Sequence, residues 1–347
     1  MWQEDNNAIH RYENLNVTPI ESISLEEGDV LCAIKKIKSN YTCGPDGLPA
    51  IFFKHLRSTL VVPLTLGSVV FKQLLSVSYV PNVWKKAIFT PVHKKRSATD
   101  CSNYRPIFIT CVCCKLLERI IVNKLHDRLS TNNILHQAQH GFTKGRSTLT
   151  NLLESVNDWT LCLQNKQQVD VVYIDFRKAF DVVSHKKLFI RLHSYGIQGE
   201  LLEWLERLYT GRTHCTKVGD ALSDKTDMVS GVIQGSVIGP LMFLVFINEL
   251  IEILDSYGIK VKFFADDAKL YVKIVNSVDT AVLQAALNAL CLWADKWQLT
   301  VAVDKCCVLH IGKADKTPAV YLINNEALPA VLSCRDLGIT ITHDLSS

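Results

Sequence analysis

An α+β fold is what the sequence predicts, and three observations predict it. Residues 169–174 are a short β-branched run ending at Asp175, with the length and composition of a buried strand. Two alternating runs, 259–263 and 270–274, flank Ala265-Asp266-Asp267-Ala268 and read as a β-hairpin with two carboxylates at its tip. Leu116, Ile120, Ile121, Leu125 and Leu129 recur at helical spacing, as do Leu283, Leu287, Leu290, Ala294 and Trp297.

The remaining elements follow in order. Residues 1–24 read as a loosely ordered lead-in. Ser24 with Glu27 fits a capping box opening a helix to about Lys38. Gly44-Pro45-Asp46-Gly47 is a strong turn signal, and a helical stretch is expected over 51–75. Pro81 and Pro91 bracket a strand-like run at 86–90. Lys94-Lys95-Arg96 opens a polar loop expected to end at Asn103-Tyr104-Arg105-Pro106. Helices are predicted over 111–129 and 147–164, and over 186–209 with a break near Gly196. A polar stretch over 210–231 precedes Gly235-Ser236 and an apolar helix through Leu250. Strand-like pieces near 308–311 and 337–340 close the chain.

Composition bounds the class. A chain of 347 residues suggests two domains, or one with subdomains, at about 150 residues each. With 48% apolar and 21% charged residues, disorder, collagen and coiled coil are excluded for the chain as a whole. No segment reaches the roughly 18 uninterrupted apolar residues of a membrane helix; the nearest, 237–247, contains Gly239 and Pro240. The N-terminus is acidic and lacks an apolar signal core, so an intracellular setting and no membrane partner are expected. Of the 12 cysteines, Cys111 and Cys114 form a C-x-x-C without a second pair. They read as buried reduced thiols rather than half of a zinc site.

The net charge of +4 is unevenly placed: −6 over residues 1–30, +12 over 31–130 and −2 over 131–347. A block at +12 fits a polyanion footprint or a lysine-rich solvated surface, and composition does not choose between them.

Asp175 at a strand exit and Asp266-Asp267 at a hairpin tip carry the chemistry. Adjacent carboxylates repel unless something positive compensates. Mg2+ prefers oxygen ligands and commonly takes one or two carboxylates plus substrate phosphates. Three carboxylates converging from two strand ends could hold two ions for an in-line phosphoryl displacement. Taken alone, Asp-Asp in a turn is as readily an exposed turn without a ligand.

The surrounding segments decide more. FFADD at 263–267 resembles the [YF]-x-D-D box of reverse transcriptases, and YIDFRKAFDVVSH at 173–185 resembles the motif bearing their first catalytic aspartate. SGVIQGSVIGPLMFLVFINEL at 230–250 resembles the Gln-Gly box and its following helix. GPDGLPAIFFK (44–54), NYRPI (103–107), QHGFTKGRST (139–148), WADKWQLTVAVDK (293–305) and DLGITI (336–341) complete the family order. From about residue 30 onward the chain thus resembles the reverse transcriptase of a non-LTR, LINE-type retrotransposon of the jockey and CR1 kind.

That resemblance implies a right-hand polymerase, with residues 25–165 mainly fingers and 166–347 palm carrying a fingers-contributed insertion. It implies Asp175, Asp266 and Asp267 as catalytic carboxylates. Metal ligands would be these three and the Phe176 carbonyl, holding two Mg2+ ions that Mn2+ could replace. Phe180 would lie beneath the incoming sugar and crowd a 2′-OH. Lys94 and Arg105 would bind triphosphate, a point charge beside a bidentate fork. Gln234 and Gly235 would shape the nucleotide pocket, and Lys305 would be a general acid toward pyrophosphate. Leu337, Gly338 and Ile339 resemble a primer grip. RNA template, DNA primer and dNTPs are the implied ligands.

Four departures stand out: Ile233 for the usual Pro, Arg96 for Gly, Phe108 for Ser, and Val301-Ala302 for Leu-Asn. They suggest drift without loss of a metal ligand. About eight residues follow Leu337-Gly338-Ile339, so the thumb is expected to be absent or truncated. With no endonuclease before the fingers, the chain reads as a portion of an element polyprotein whose remaining parts would be partners. The rival readings are a catalytically silent, truncated nucleic-acid-binding remnant, an RNA-dependent RNA polymerase, against which Phe180 argues, and a translated pseudogene.

Overall fold

A computed structural model describes residues 15, 17–65, 70–93, 97–100, 103–312 and 318–346. In chain order the early elements are α1 (Glu27–Lys35), α2 (Ala50–His55), α3 (Arg57–Thr65), α4 (Val70–Ser76), β1 (Lys86–His93), β2 (Tyr104–Ile109) and α5 (Val112–Thr131). Then come α6 (Thr148–Gln164), β3 (Gln168–Ile174), α7 (His185–Ser194) and α8 (Gly199–Tyr209). β4 (Arg212–Val218), β5 (Ala221–Leu222), β6 (Thr226–Met228) and α9 (Gly239–Asp255) follow. Next are β7 (Lys260–Phe264), β8 (Asp267–Ile274), α10 (Ser277–Trp297), β9 (Cys307–Ile311), β10 (Leu322–Ile323) and β11 (Glu326–Ala327). β12 (Ala330–Val331), β13 (Ser333–Asp336) and β14 (Ile339–Thr342) end the chain. Contacts divide it into two compact units, Met1–Ile134 with Val183–Val245, and Leu135–Val182 with Phe246–Ser347.

In the first unit, β1 is paired antiparallel with β2 and parallel with β4, which also pairs β6. The segment around Arg105, expected as loop, is therefore strand: its register runs from Ile88↔Ile109 to His93↔Tyr104. β1 also runs past Pro91. Its pairing with β4 spans only Lys86 to Phe89, so Pro91, which has no N–H to donate, falls where a single neighbour remains. The polar stretch 210–231 contains the strands β4, β5 and β6. α5 buries Leu116, Ile120, Ile121, Leu125 and Leu129, as their spacing predicts. The first helix is capped two residues later than expected, by Glu26 with Asp29, and ends at Lys35. The stretch 51–75 is three helices, the first two separated at Leu56.

In the second unit a sheet of order β12-β9-β3-β8-β7 has β3 at its centre, antiparallel to both β8 and β9. Trp159 of α6 packs with Val169, Val171, Tyr271, Leu309, Ile311 and Ile341 on one side of it. Burying such aromatic and β-branched side chains stabilises by roughly 1.5–3 kcal/mol each. Asp170 on β3 is fully buried yet satisfied, accepting from the Tyr321 hydroxyl at 2.7 Å and lying 2.7 Å from His310 Nδ1. Among the described residues α10 is long and apolar enough to cross a membrane. It buries Leu283, Leu287, Leu290, Trp293 and Trp297 and packs on β8.

Candidate active site

The β3–β8 register builds the candidate site. Its last pair is Ile174↔Ala268, so one step further Asp175 stands opposite Asp267. The hairpin β7–β8 pairs Phe264 with Asp267 and turns through Ala265 and Asp266. Asp175, Asp267, Lys305 and Leu337 then line one cleft, with Lys269 and Asp336 deeper in it.

Asp266 and Asp267 both feel their neighbours. Burial raises the Asp266 pKa, Asp175 adds to the rise, and a backbone hydrogen bond and Lys305 oppose it. Asp267 is pushed up to about 6, by desolvation first and then by Asp266, Asp175 and Asp336. Lys305 Nζ lies 3.1 Å from Asp175 Oδ1.

The backbone beyond Asp175 is tied down. Ala302 N–H donates to the Asp175 carbonyl at 2.8 Å, and Arg177 N–H donates to the Thr300 carbonyl at 2.8 Å. This bridge between Phe176 and Val301 uses atoms of Asp175 and Arg177, which leaves the Phe176 carbonyl outside it. The Asp175 N–H also points at Cys306 Sγ, 3.5 Å away. Val301-Ala302, where the resemblance leads one to expect Leu-Asn, acts here mainly through backbone.

Asp175 and Asp267 offer carboxylate oxygens to this cleft, and Asp266 and Asp267 are raised by neighbouring carboxylates, so the set suits a hard divalent cation. Among the described residues no three His, Cys, Asp or Glu side chains close on a common point. Mg2+ does not require that, since it is commonly held by one or two carboxylates with water and phosphate oxygens.

The other expected residues are placed as follows. Phe180 is half-buried, its ring edge-on to Phe142 at 6.2 Å between centroids. Leu337 and Gly338 are the turn of the β13–β14 hairpin, with φ of +47° and +98°, and Ile339 opens β14 half-exposed. Two positive φ angles are what a type I′ turn demands. Gln234 and Gly235 belong to the first unit, where the Gln234 carbonyl accepts from Phe108 N–H at 3.1 Å. Gly235 has φ +103°, and a Cβ there would collide with the Phe108 carbonyl oxygen. Its close backbone approach is thus to β2, the strand that carries Arg105. Gly235 also lines a cleft with Lys38, Lys115 and Arg119. Lys94 lies outside the described residues, and Arg105 is described only through its strand pairing with Val92.

Several residues that hold these parts have no role assigned by sequence reasoning. The fully buried Glu118 accepts from Val237 N–H at 2.7 Å and Ile238 N–H at 3.3 Å, holding the end of the Gln-Gly box segment. Lys269 and Asp336, both almost fully buried, pair at 2.5 Å. Tyr173 OH reaches the same Asp336 oxygen at 3.4 Å, and Lys269 Nζ lies over the Trp159 ring. These ties dock β13–β14 on the sheet. Asp336 and Gln139 sit inside segments that carry the family resemblance, which is the one signal the sequence offered for them.

Comparison with known proteins agrees. The family described as reverse transcriptase (RNA-dependent DNA polymerase) matches residues 92–341. The chain is 27% identical over 336 residues to the RNA-directed DNA polymerase from mobile element jockey of Drosophila melanogaster, covering 94% of this chain and 36% of that protein. It is 30% identical over 344 residues to the probable RNA-directed DNA polymerase from transposon BS of the same fly, with the same two coverages. The chain therefore spans about a third of the length of these curated relatives. An apo telomerase structure from Candida tropicalis, truncated from its C-terminal domain, shares the fold at TM-score 0.53 and 11% identity, over 76% of this chain and 54% of that one. The mixed helix-and-sheet architecture is that of a polymerase fingers and palm. The chain belongs to the reverse transcriptase family, in the branch carried by non-LTR retrotransposons.

Proposed function

We propose that this chain is the polymerase portion of a retrotransposon protein and adds dNTPs to a primer 3′-OH on an RNA template, releasing pyrophosphate. One observation carries the reading: on a reverse transcriptase fold, the strand register sets Asp175 across from Asp267 in a single open cleft. Bound Mg2+, for which Mn2+ could substitute, would lower the charge cost of the in-line displacement. Asp175, Asp266, Asp267 and the Phe176 carbonyl would hold it. Lys305, beside Asp175, would donate a proton toward the leaving pyrophosphate. The Phe180 ring would floor the sugar site. Lys94 and Arg105 would neutralise the triphosphate, Gln234 and Gly235 would shape the nucleotide pocket, and residues 337–339 would grip the primer. In this reading 166–182 and 246–347 are palm. Residues 25–134 are fingers and 183–245 the fingers-contributed insertion, while α6, packed on the palm sheet, supports the palm.

The test is primer extension by the purified chain on a short RNA template with Mg2+ and dNTPs, beside an Asp266→Asn/Asp267→Asn variant. Extension that vanishes in the variant and with EDTA supports the reading. Template binding without extension in either protein sinks it in favour of a silent nucleic-acid-binding remnant. Equal use of NTPs would overturn the assignment of Phe180.

A further inference from the structure

The residue before the two aspartates has an unusual backbone. Ala265 has φ +59°. In that left-handed region the Cβ of an L-residue crowds the following carbonyl, so alanine is found there only when its surroundings hold it. One side chain supplies hydrogen bonds to both of its backbone polar groups. Gln139, 2% exposed, accepts the Ala265 N–H on Oε1 at 2.9 Å and donates from Nε2 to the Ala265 carbonyl at 3.2 Å. Its Oε1 also accepts Gly141 N–H at 2.8 Å.

The segment around Gln139 is itself fastened to β7. His140 N–H donates to the Phe263 carbonyl at 2.9 Å, and Phe263 N–H donates to the Ala138 carbonyl at 2.9 Å. Asn151 Nδ2 reaches the same Phe263 carbonyl at 3.1 Å. At Gly141 a Cβ would strike Ala265 N, so the segment lies flush against the turn. The amide of Gln139 therefore satisfies both backbone polar groups of the one strained residue in the Phe264–Asp267 turn.

We propose that Gln139 is a positioning residue that sets the conformation of Ala265 and, through it, where Asp266 and Asp267 stand. It touches no reacting atom. The proposal rests on the polymerase reading for its consequence in turnover, but the hold itself is measurable without turnover.

The experiment uses the full chain as wild type, Gln139→Met, Gln139→Met/Ala265→Gly and Asp266→Asn/Asp267→Asn. Methionine keeps the length of glutamine and removes its hydrogen bonds. Mn2+ affinity, read by electron paramagnetic resonance, should fall about tenfold or more in Gln139→Met, as for other groups that orient metal ligands. The turnover number should fall with it, while KM for template-primer stays within twofold. Adding Ala265→Gly should recover part of both losses, because glycine holds positive φ unaided. A folded Gln139→Met with wild-type Mn2+ affinity and turnover overturns the proposal, and so does a loss seen only in melting temperature.

Hydrogen exchange on the wild type serves if Gln139→Met does not fold. The Ala265 amide should exchange far more slowly than a free turn amide, and rapid exchange overturns the hold. If the wild type binds Mn2+ but extends no primer, the polymerase reading fails while the Mn2+ and exchange comparisons still decide on Gln139.

Discussion

Asp267 shows how a residue can be poor for the fold and still suit the proposed site. Its pKa stands at about 6 against an ordinary 3.8, so the folded chain holds this proton more tightly than the unfolded chain. Stability from this group is present below pH 3.8 and is lost as pH rises toward 6. At pH 7 the penalty is in full force. Asp267→Asn should therefore stabilise the metal-free chain at pH 7 by about 1 kcal/mol, a value discounted for solvent screening at a partly exposed carboxylate. The gain should shrink below pH 4. Thermal melts in EDTA at the two pH values check this. Mg2+ should raise the melting temperature of the wild type and leave that of Asp267→Asn nearly unmoved. If Mg2+ stabilises both equally, the cation sits elsewhere.

Elements, rather than single residues, decide where the cleft walls stand, and the β13–β14 hairpin is the clearest case. It is docked by one buried ion pair, Lys269–Asp336, reinforced by Tyr173. Breaking a buried pair from one side leaves a naked charge, which costs about 3–5 kcal/mol. Lys269→Met should cost that much in chemical denaturation, and Lys269→Met/Asp336→Leu should recover most of it. At the hairpin tip, Leu337 occupies a left-handed position that asparagine tolerates better. Leu337→Asn should stabilise by a few tenths of a kcal/mol to about 1 kcal/mol while weakening primer extension, since Leu337 lines the cleft.

The same scale shows what was readable from sequence. The hairpin β7–β8 was legible because alternation and a turn coincide, and α6 because Ser147 caps it. β2, β4 and β6 were not. β2 carries Pro106 at its middle, β4 is mostly polar and β6 has three residues, and they become strands because β1 and β4 offer edges to pair with, which no local pattern announces. The aspartates were legible as motifs. Their support was not, because Gln139 is 126 residues from Ala265 in sequence and meets it only through the fold.

At the scale of the whole molecule the question is how a nearly neutral chain would hold a nucleic acid. The net charge of +4 hides a block of +12 over residues 31–130. Part of that block is organised: Lys115 and Arg119, one turn apart on α5, line the cleft that Gly235 and Lys38 complete. Each phosphate neutralised on a single strand contributes about 0.7 to the slope of log affinity against log salt. If Lys115 and Arg119 each contact a phosphate, Lys115→Ala/Arg119→Ala should lower that slope by about 1.4 for a single-stranded RNA oligomer. Fluorescence anisotropy between 50 and 200 mM salt, roughly the range over which such slopes are resolved, gives the measurement. The same substitutions on a merely solvated face would leave the slope unchanged, which separates a binding surface from a lysine-rich exterior. Because α5 buries Leu116, Leu117, Ile120 and Ile121 while Lys115 and Arg119 stay partly exposed, removing the two cations should leave the melting temperature close to wild type. A fall in slope without a fall in stability would then assign the basic block to nucleic acid, as the polymerase reading requires.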